Sequence, residues 1–588
     1  MKKLDPTKLA DWQIAESAEE FITPIQEIGD QLGLQEGELL PMRAGVAKIN
    51  FTKTWQRIKD ARPGKYVDVT AITPTPLGEG KTTTTIGLVE GLGKIGKRPV
   101  GAIRQPSGGP TFNIKGSAAG GGLAQCIPLA PFALGLTGDL DAITNAHNLC
   151  MTALTARMQH ENNYDDERLA SIGLHRLDID PERVQIKWAI DFCAQSLRNI
   201  TIGKGGKMDG YEMESGFQIT VSSEIMAILA VADSLKDMRE RIGKMIVAYS
   251  RSGEAITTAD LEVDGAVTAI MLNALDPNLV QTIEGNPVLV HAGPFANIAI
   301  GQSSVIADML GIRLGDYLVT ESGFGADIGY EKFWNLKCRY SGLKPDAVVI
   351  VATVRALKMH GGGPTVKPGK PLDKTYTEEN LDLLEEGCSN LIAHINTVKL
   401  SGTSPVVCIN SFYTDTPAEH ELIRRIAEQH GARCAVSEHW LKGGEGAEEL
   451  ARIVVEACEE ENRFEYLYDL SLPFKERVHI IATRIYGAAG VEWSETAERK
   501  IEQFESDPEI RTMGMCMVKT HLSLSHNPDF KGAPKDWILP IRDVLIYKGA
   551  GFVAPVAGDI KLLPGTGSDP GYRRIDVDVN TGKVTGLF

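Results

Sequence analysis

Apolar residues in this chain form short uninterrupted runs rather than alternating with polar residues. Such runs are typical of strands that are covered on both faces, as in a parallel sheet. Most are bounded by glycine or proline, which favour turns. They predict strands over residues 66–73, 98–103, 288–292, 316–320, 347–353, 405–410 and 432–437.

Helical patterns separate several of these strands. Apolar residues recur at helical spacing between residues 82 and 95, and Gly96 follows as a stop. Residues 416–419 (TPAE) form a capping box with proline at the first helical position, and Gly431 follows the helix that it opens. The chain is therefore predicted to be α/β, with a mostly parallel sheet flanked by helices.

The length of 588 residues exceeds what one hydrophobic core usually serves. Residues 360–380, rich in Gly, Pro and Lys, are typical of a surface loop or hinge, and short strands with glycine turns follow residue 505. We predict three domains: residues 1–385 around the first strands, an α/β domain over 386–510, and a small C-terminal α+β domain over 511–588.

Charge and composition exclude several classes of function. Acidic residues outnumber basic ones by 77 to 61, giving a net charge of -16, which argues against a nucleic-acid surface. No uncharged apolar stretch of 18 residues and no secretory signal pattern occur, so a cytoplasmic protein without a membrane span is expected. The nine scattered cysteines, without a C-x-x-C pair, are expected to be reduced and mostly buried rather than metal ligands.

The segment TPLGEGKTTTT, residues 75–85, has the character of a phosphate-binding loop between a strand and a helix. Gly78 and Gly80 allow close approach of the backbone, Lys81 supplies a charge, and the Thr82 hydroxyl can bind Mg²⁺. The usual pattern has glycine where this chain has Thr75, so a helix cap without a ligand stays an alternative. The predicted ATP-binding residues are Thr75, Pro76, Leu77, Gly78, Glu79, Gly80, Lys81, Thr82 and Thr83.

Three further side chains follow predicted strands, where open α/β sheets bind their ligands. Arg104 ends the strand after the glycine loop, although a surface arginine before a turn is an equally good interpretation. Phe412 and Trp440 follow the two last strands, and aromatic residues at such places are more often core than ligand contacts.

Ten motifs, in order along the chain, resemble those of the formate–tetrahydrofolate ligase family from about residue 20 to the end. They are TPLGEGKTTTT, RQPSGGP, KGSAAGGGLAQ, LTGDLDAIT, HAGPFANIA, TESGFGADIGYEKF, VIVATVRALKMHGG, NSFYTDT, GAGF and the terminal GLF. The resemblance implies a P-loop NTPase-like fold and an enzyme that uses ATP to phosphorylate formate. Tetrahydrofolate N10 then attacks the formyl phosphate, which gives 10-formyltetrahydrofolate. Family members assemble as tetramers, so the resemblance also implies a homo-oligomer.

The resemblance assigns roles to individual residues. Lys81, with Mg²⁺ held through Thr82, would neutralise the transferring phosphoryl group. Arg104 matches the arginine that holds formate and formyl phosphate, and Gln105 beside it belongs to the same substrate site. Phe412 and Trp440 match the aromatic residues that pack on the pterin. The implied cofactors are ATP and Mg²⁺, with a monovalent cation as an open option.

Several polar positions depart from the family pattern. The altered residues are Gln105 for glutamate, Asp141 for histidine, Cys193 and Ala194 for polar groups, Gln218 for aspartate and Ile300 for histidine. The segments PSGGP and LPGTGSDPG also differ from the usual PSLGP and LPGLP. Two alternatives follow: a paralogue that ligates another small carboxylate or amine carrier, and a non-catalytic ATP-binding regulator. Dependence of ATP consumption on a carboxylate would distinguish them.

Overall fold

The computed structural model describes residues 4–76, 78–113, 118–295, 298–366, 371–558 and 561–587. Its strands are numbered in chain order. They are β1 (Leu39–Arg43), β2 (Val46–Ile49), β3 (Lys65–Ala71), β4 (Pro99–Ile103), β5 (Gly120–Gly121), β6 (Ala124–Ile127), β7 (Ile179–Val184), β8 (Trp188–Ile190), β9 (Ile200–Ile202), β10 (Met213–Ser215), β11 (Phe217–Ile219), β12 (Ile246–Ser250), β13 (Ala255–Thr257), β14 (Asn278–Thr282), β15 (Pro287–Val290), β16 (Tyr317–Glu321), β17 (Ala347–Ala352), β18 (Ser404–Asn410), β19 (Arg433–Ser437), β20 (Gly490–Trp493), β21 (Gly514–Met515), β22 (Ile538–Ile541), β23 (Asp543–Tyr547), β24 (Phe552–Val556), β25 (Asp576–Val577) and β26 (Val584–Thr585).

The α-helices are numbered in the same way. They are α1 (Asp11–Glu19), α2 (Ile25–Gln31), α3 (Phe51–Ile58), α4 (Lys81–Lys94), α5 (Gly108–Thr111), α6 (Leu129–Ala133), α7 (Asp139–Asn163), α8 (Asp166–Ser171), α9 (Glu224–Val231), α10 (Leu235–Gly243), α11 (Asp264–Met271), α12 (Val305–Leu314), α13 (Cys338–Ser341), α14 (Val354–His360), α15 (Leu381–Leu400), α16 (Pro417–Gln429), α17 (His439–Lys442), α18 (Glu448–Cys458), α19 (Phe474–Arg484) and α20 (Glu495–Glu505).

A large central sheet organises the molecule. Its strands lie in the order β1-β2-β14-β15-β4-β16-β3-β17-β18-β19, with β5 and β6 attached beside β14. Every pairing from β15 to β19 is parallel, whereas β1, β2, β6 and β14 pair antiparallel. The predicted α/β class with a mostly parallel sheet is confirmed.

Helices cover both faces of this sheet, which explains why most residues of its parallel strands are apolar. On β3, Val67 and Val69 pack with α4 and α18, while the preceding Tyr66 belongs to the core on the opposite face. Val348 and Val349 of β17 divide between the two faces in the same way. Alternate residues of one strand therefore enter two different cores, and even the polar Asp68 and Thr70 of β3 are fully buried.

The predicted strands and helices lie within a few residues of the observed ones. The loop after β3 leads into α4, and Thr416 caps α16 with its side chain while Glu419 returns the capping bond. The methionine-rich segment 513–518 is buried, and within it Gly514–Met515 forms a strand. Beyond Glu505, the part of the chain that the structure describes consists of short strands and 3₁₀ turns.

The predicted domain boundary at residue 385 falls within α15. The strands before and after it, β17 and β18, pair in register from Ala347 with Ser404 to Ala352 with Ile409. Strands from both sides of the boundary therefore belong to one sheet. The division of the chain into three domains stays a prediction. In the described residues, no helix is long and apolar enough to cross a membrane.

Candidate functional site

Three adjacent parallel strands bring the predicted phosphate chemistry to one edge of the sheet. β16 lies between β3, which leads into the glycine loop, and β4, which leads to Arg104. Glu321, the last residue of β16, lies beside Val69 of β3. Because the carboxyl ends of parallel strands meet at the same edge, the loop, Glu321 and Arg104 converge there.

The glycine loop has the backbone conformation that its glycines allow. Gly78 and Gly80 have φ angles of 72° and 75°, in the left-handed region that favours glycine. Gly80 also caps α4, and a Cβ there would lie 2.4 Å from Asn410 Nδ2. That amide donates a hydrogen bond to the Glu79 carbonyl (3.0 Å), so the end of β18 supports the loop. Leu77 lies outside the described residues.

Polar contacts within the loop involve Thr75, the residue that departs from the usual glycine pattern. Its amide donates to Glu79 Oε1 at 2.7 Å, and its hydroxyl donates to the same oxygen at 3.2 Å. Burial raises the pKa of Glu79, and the nearby Lys81 opposes this effect. The Thr75 backbone and side chain therefore both hold an acidic residue inside the loop, and a glycine would keep only the backbone bond. Pro76 is exposed.

The base of the loop is held by neutral buried groups. The Thr73 amide donates to Asn390 Oδ1 (3.0 Å), and the Asn390 amide donates to the Thr73 hydroxyl (2.9 Å). His394 Nε2 lies 3.0 Å from that hydroxyl, and His360 Nε2 lies 2.8 Å from the Thr73 carbonyl. Burial lowers the pKa of each histidine to about 4, so both are uncharged at neutral pH. Thr73, which precedes the glycine loop, is therefore held in place by uncharged buried side chains.

Lys81, Thr82, Arg104 and Glu321 form the phosphate-side cluster. Thr82 Oγ1 donates to Glu321 Oε2 at 2.6 Å, and Arg104 Nη2 lies 3.6 Å from Glu321 Oε1. Burial lowers the pKa of Lys81, while the carboxylates of Glu79 and Glu321 raise it. Lys81, Thr82 and Thr83 lie in the first turn of α4, where backbone N–H groups are free to bind an anion.

Donors at Arg104 and Gln105 are buried without a partner among the described residues. They are Arg104 Nε and Gln105 Nε2. The Arg104 guanidinium also packs on the chain at Gly323, where a Cβ would lie 2.9 Å from Nη1. Buried donors of this kind are costly unless a ligand or water accepts from them, so they mark a polar binding site.

The loop after Arg104 is anchored by an acidic residue that the sequence did not single out. Ser107 Oγ donates to Asp191 Oδ1 at 2.6 Å, and the Gly108 amide donates to Oδ2 at 2.7 Å. Burial raises the pKa of Asp191 to about 6, and the nearby Asp141 raises it further while both hydrogen bonds lower it.

Several departures from the family pattern meet around this loop. Gly108 stands where the family has leucine, and a Cβ there would lie 3.1 Å from Asp191 Oδ2. A Cβ at Gly109 would lie 3.2 Å from Cys193 Sγ. The carbonyl of Cys193 accepts from Thr566 Oγ1 (2.5 Å), within the altered LPGTGSDPG segment. These altered positions are therefore neighbours in space.

The remaining altered residues have separate surroundings. Gln218 is buried and donates from Nε2 to the Ser222 carbonyl (3.2 Å). Ile300 is fully buried in the main core, and Ala194 is partly buried at the edge of that core. Asp141 is exposed in the first turn of α7, where a negative charge is favoured by the helix dipole.

Trp440 is positioned by close packing onto glycine. Its helix, α17, lies against α4, where a Cβ at Gly87 would approach His439 Cβ to 2.4 Å. The indole rests on Gly122, where a Cβ would lie 2.6 Å from Trp440 Cδ1. The Trp440 carbonyl accepts from the Leu123 amide at 2.9 Å. Small residues in α4 and in the Gly-rich segment therefore fix a half-buried indole.

Phe412 follows β18, and it is half-buried. The guanidinium carbon of Arg355 lies 4.2 Å from the centre of its ring, a cation–π contact. Arg355 Nη2 also donates to Thr414 Oγ1 at 3.1 Å. Because Asn410 and Ser437 pair in register, the segments that carry Phe412 and Trp440 leave the sheet at neighbouring positions. These two residues are called the aromatic side.

The sequence singled out the loop, Arg104 and both aromatic residues as site residues, which stays a prediction, and it gave no role to Glu321, Asp191, Arg355 or Asn410. Glu321 lay within the quoted motif TESGFG. An acidic residue at the very end of a predicted apolar strand was the available signal for it. Asp191 and Arg355 carried no comparable signal.

The sequence predicted that the cysteines are not metal ligands, and the structure can be searched for metal-binding groups only over the residues that it describes. Among them, no group of three or more His, Cys, Asp or Glu side chains could hold a metal ion. All nine cysteines are free, and all but Cys193 are buried.

Comparison with known proteins agrees with the resemblance. The family model described as formate–tetrahydrofolate ligase matches residues 9–588. A formate–tetrahydrofolate ligase of Dehalococcoides mccartyi is 64% identical over this whole chain and 98% of its own. The enzyme of that name from Desulforapulum autotrophicum is 62% identical over the full length of both chains. One from Syntrophobacter fumaroxidans is 58% identical over 99% of this chain and 100% of its own. This chain therefore belongs to the formate–tetrahydrofolate ligase family.

Proposed function

We propose that this protein ligates formate to tetrahydrofolate at the expense of ATP, giving 10-formyltetrahydrofolate, ADP and phosphate. One observation carries the proposal: the phosphate-side cluster joins a glycine loop to an arginine through the carboxylate of Glu321. A site that only bound nucleotide would have no need for an arginine with a buried, unpartnered donor beside the loop.

The nucleotide site in this proposal is the loop of residues 75–83, in a P-loop NTPase-like arrangement. Its support is the left-handed conformation of Gly78 and Gly80 and the start of α4 at Lys81. Backbone N–H groups at a helix start attract phosphate oxygens, and a lysine there adds a full charge.

Thr82 and Glu321 fit a magnesium ion that arrives with the nucleotide. Mg²⁺ prefers oxygen ligands and is usually held by one or two protein groups together with substrate phosphates. The hydroxyl of Thr82 would offer one such oxygen, and the Glu321 carboxylate, which accepts from that hydroxyl at 2.6 Å, would orient it. When bound, the ion would neutralise negative charge on the phosphates. Activation by a monovalent cation stays a prediction.

The first chemical step joins two anions, so positive charge and alignment dominate its barrier. A formate oxygen attacks the γ-phosphorus of ATP, and the bond from that phosphorus to the ADP oxygen breaks. Lys81 would balance charge on the transferring phosphoryl group. Arg104 would hold the planar carboxylate with the parallel donors of its guanidinium. Gln105 adds an uncharged donor beside it.

The second step transfers the formyl group. N10 of tetrahydrofolate attacks the formyl carbon, phosphate leaves with the electrons of the carbon–oxygen bond, and N10 loses its proton. Phe412 and Trp440 would bind the pterin by stacking. This role is supported by the positions of Phe412 and Trp440, which follow the carboxyl ends of β18 and β19. The same edge of the sheet carries the glycine loop.

The two alternatives receive less support. Relatives that share 58–64% identity over nearly the whole chain carry the ligase name. The proposal also includes assembly as a homotetramer, a cytoplasmic location and the three-domain division, each of which follows from the resemblance or the sequence pattern.

The test is ADP release by the purified protein with ATP and Mg²⁺, adding formate and tetrahydrofolate singly and together. The folate product is followed after acid cyclisation. Release of ADP together with formylated folate, only when both substrates are present, supports the ligase. ATP turnover with another carboxylate, and none with formate, would support the paralogue. No carboxylate-dependent turnover at all would leave the regulator.

A further inference from the structure

Glu321 contacts a residue of each predicted substrate site. Its Oε2 accepts from the Thr82 hydroxyl on the nucleotide side, and its Oε1 faces Arg104 on the formate side. Only 4% of its surface is exposed, so this carboxylate is not a solvated charge that happens to lie nearby. A buried carboxylate shared between two sites is a physical connection between them.

The backbone next to Glu321 is fixed by hydrogen bonds between Ser322 and strand β3. Ser322 Oγ donates to both oxygens of Asp68, at 2.8 and 2.9 Å, and the Ser322 amide donates to the Val69 carbonyl at 2.8 Å. Gln302 Nε2 also donates to Asp68 Oδ1 (2.5 Å). The main chain of Glu321 therefore has little freedom, and changes at the site must be taken up by its carboxylate.

The two contacts of this carboxylate differ in strength. The 2.6 Å bond from Thr82 is a short charge-assisted hydrogen bond, whereas the 3.6 Å separation from Arg104 is beyond hydrogen-bond distance. A hydroxyl oxygen that binds a cation becomes a stronger donor to its carboxylate partner. Loading of the nucleotide side should therefore hold Glu321 more firmly toward Thr82 and weaken its hold on Arg104.

We propose that Glu321 is a positioning residue that couples the nucleotide and formate sites, so that Mg²⁺ with nucleotide tightens formate binding. Arg104 then directs its guanidinium, including the unpartnered Nε, to the formate carboxylate. This inference rests on the proposed function of the two sites. It adds that the affinities are linked through one named side chain, and linkage requires that formate tighten nucleotide binding by the same factor.

The experiment measures binding without turnover. Isothermal titration calorimetry gives the Kd of the β,γ-imido analogue of ATP, with Mg²⁺, in the absence of formate and at saturating formate. We expect formate to tighten binding about 5- to 20-fold in the wild-type protein, within the usual range of coupling between sites. In Glu321→Gln the ratio should fall to within about twofold of one.

A matched control is Glu331→Gln. Glu331 is also a buried glutamate close after β16, and it accepts from Asn335 rather than from the phosphate-side cluster. Its substitution should leave the coupling ratio unchanged. An equal loss in Glu331→Gln would mean that the ratio reports general loosening and would overturn the role of Glu321.

A second pair of variants tests the other end of the connection. Thr82→Val removes the hydroxyl that donates to Glu321, and Thr82→Ser keeps it. Coupling should be lost in the valine variant and retained in the serine variant, whatever their absolute affinities. Coupling that persists in Thr82→Val overturns the proposal even if Glu321→Gln does not fold.

Failure of this inference can be distinguished from failure of the proposed function. If the wild-type protein forms 10-formyltetrahydrofolate but formate does not change the nucleotide Kd, the coupling alone is wrong. If the protein forms no formylated product, the proposed function fails first.

Discussion

The phosphate-side cluster and the aromatic side lie at the same edge of the sheet but are built by different forces. In the cluster, groups from three strand ends contact one another, and the sheet register fixes their separations. On the aromatic side, the indole of Trp440 packs against Gly122 and the ring of Phe412 packs against Arg355, so the fit between surfaces sets their positions.

This difference indicates how each region should respond to change. Charges in a buried site act over several ångströms, and their removal leaves partners uncompensated. A half-buried aromatic ring contributes mainly apolar contact area, whose loss is local. Substitutions in the cluster should therefore affect turnover most, and substitutions on the aromatic side should affect folate affinity alone.

The largest effect is expected for Lys81→Ala. The substitution removes the charge that balances the transferring phosphoryl group, so kcat should fall about 10³-fold or more. Tetrahydrofolate affinity should stay nearly unchanged, because the aromatic side is intact. Steady-state ADP release and folate titration by fluorescence measure the two quantities.

Lys94→Ala is the control for that variant, since Lys94 lies in the last turn of the same helix and pairs with Glu284 near the surface. It should retain wild-type turnover. Substantial activity in Lys81→Ala would remove the assignment of the loop to the transferred phosphate.

Trp440→Ala should act on the other region. Loss of a stacking partner costs on the order of 1 to 3 kcal/mol, so the Kd for tetrahydrofolate should rise about 10- to 100-fold. The Kd for nucleotide should change little. Trp493→Ala, on β20, is the control because it removes an indole elsewhere in the chain. Unchanged folate affinity in Trp440→Ala would show that this indole does not bind the pterin.

The sequence predicted the central strands well because each contains an uninterrupted or nearly uninterrupted run of apolar residues. The strand predicted over 405–410 is observed as Ser404–Asn410, and that over 98–103 as Pro99–Ile103. The sequence did not predict β2 and β14, whose residues VAKI and NLVQT mix polar and apolar side chains. These strands pair antiparallel at one side of the sheet, where the parallel pattern gives no signal.

For the site, the sequence could supply only residues whose local motif carries the chemistry. Lys81 stands in a glycine loop before a helix, which is a local signal. Glu321 acquires its role because β16 lies between β3 and β4, although it comes more than 200 residues after either strand. Strand order is not written in local patterns, so a bridging residue of this kind requires the structure.

Gly87→Ala tests whether close packing sets the aromatic side. A Cβ at this position would lie 2.4 Å from His439 Cβ and 2.6 Å from Cγ, so α17 must shift. Overpacking of this kind costs about 1–3 kcal/mol, partly offset by the higher helix propensity of alanine. We expect a rise of about 3- to 10-fold in the Kd for tetrahydrofolate and little change in the Kd for nucleotide.

Gly93→Ala provides the control in the same helix. Its Cβ would meet only the amide end of Asn286, which can move, so folate affinity should be retained. If both glycine variants lose nucleotide affinity equally, the two regions are not separable and the comparison fails.

The smallest expected effect concerns pH, which should act on the two regions with opposite sign. Burial raises the pKa of Asp191, beside the cluster, to about 6, and burial lowers that of His439, beside Trp440, to about 4. The stability that Asp191 contributes is complete below pH 3.8 and is lost as pH rises through about 6. The stability that His439 contributes is complete above pH 6.5 and is lost as pH falls through about 4.

Hydrogen exchange of residues 105–113 and 437–447, corrected for intrinsic rates, measures this contrast between pH 5 and pH 6. A single group contributes at most about 1.4 kcal/mol per pH unit, and both groups titrate only partly in this interval. Protection should therefore change about two- to fivefold, falling with pH in the first segment and rising in the second. Asp191→Asn should remove the first slope alone, and His439→Gln the second alone. Slopes of the same sign would mean that the two regions open as one unit, and the distinction between a charge-fixed and a packing-fixed side would not hold.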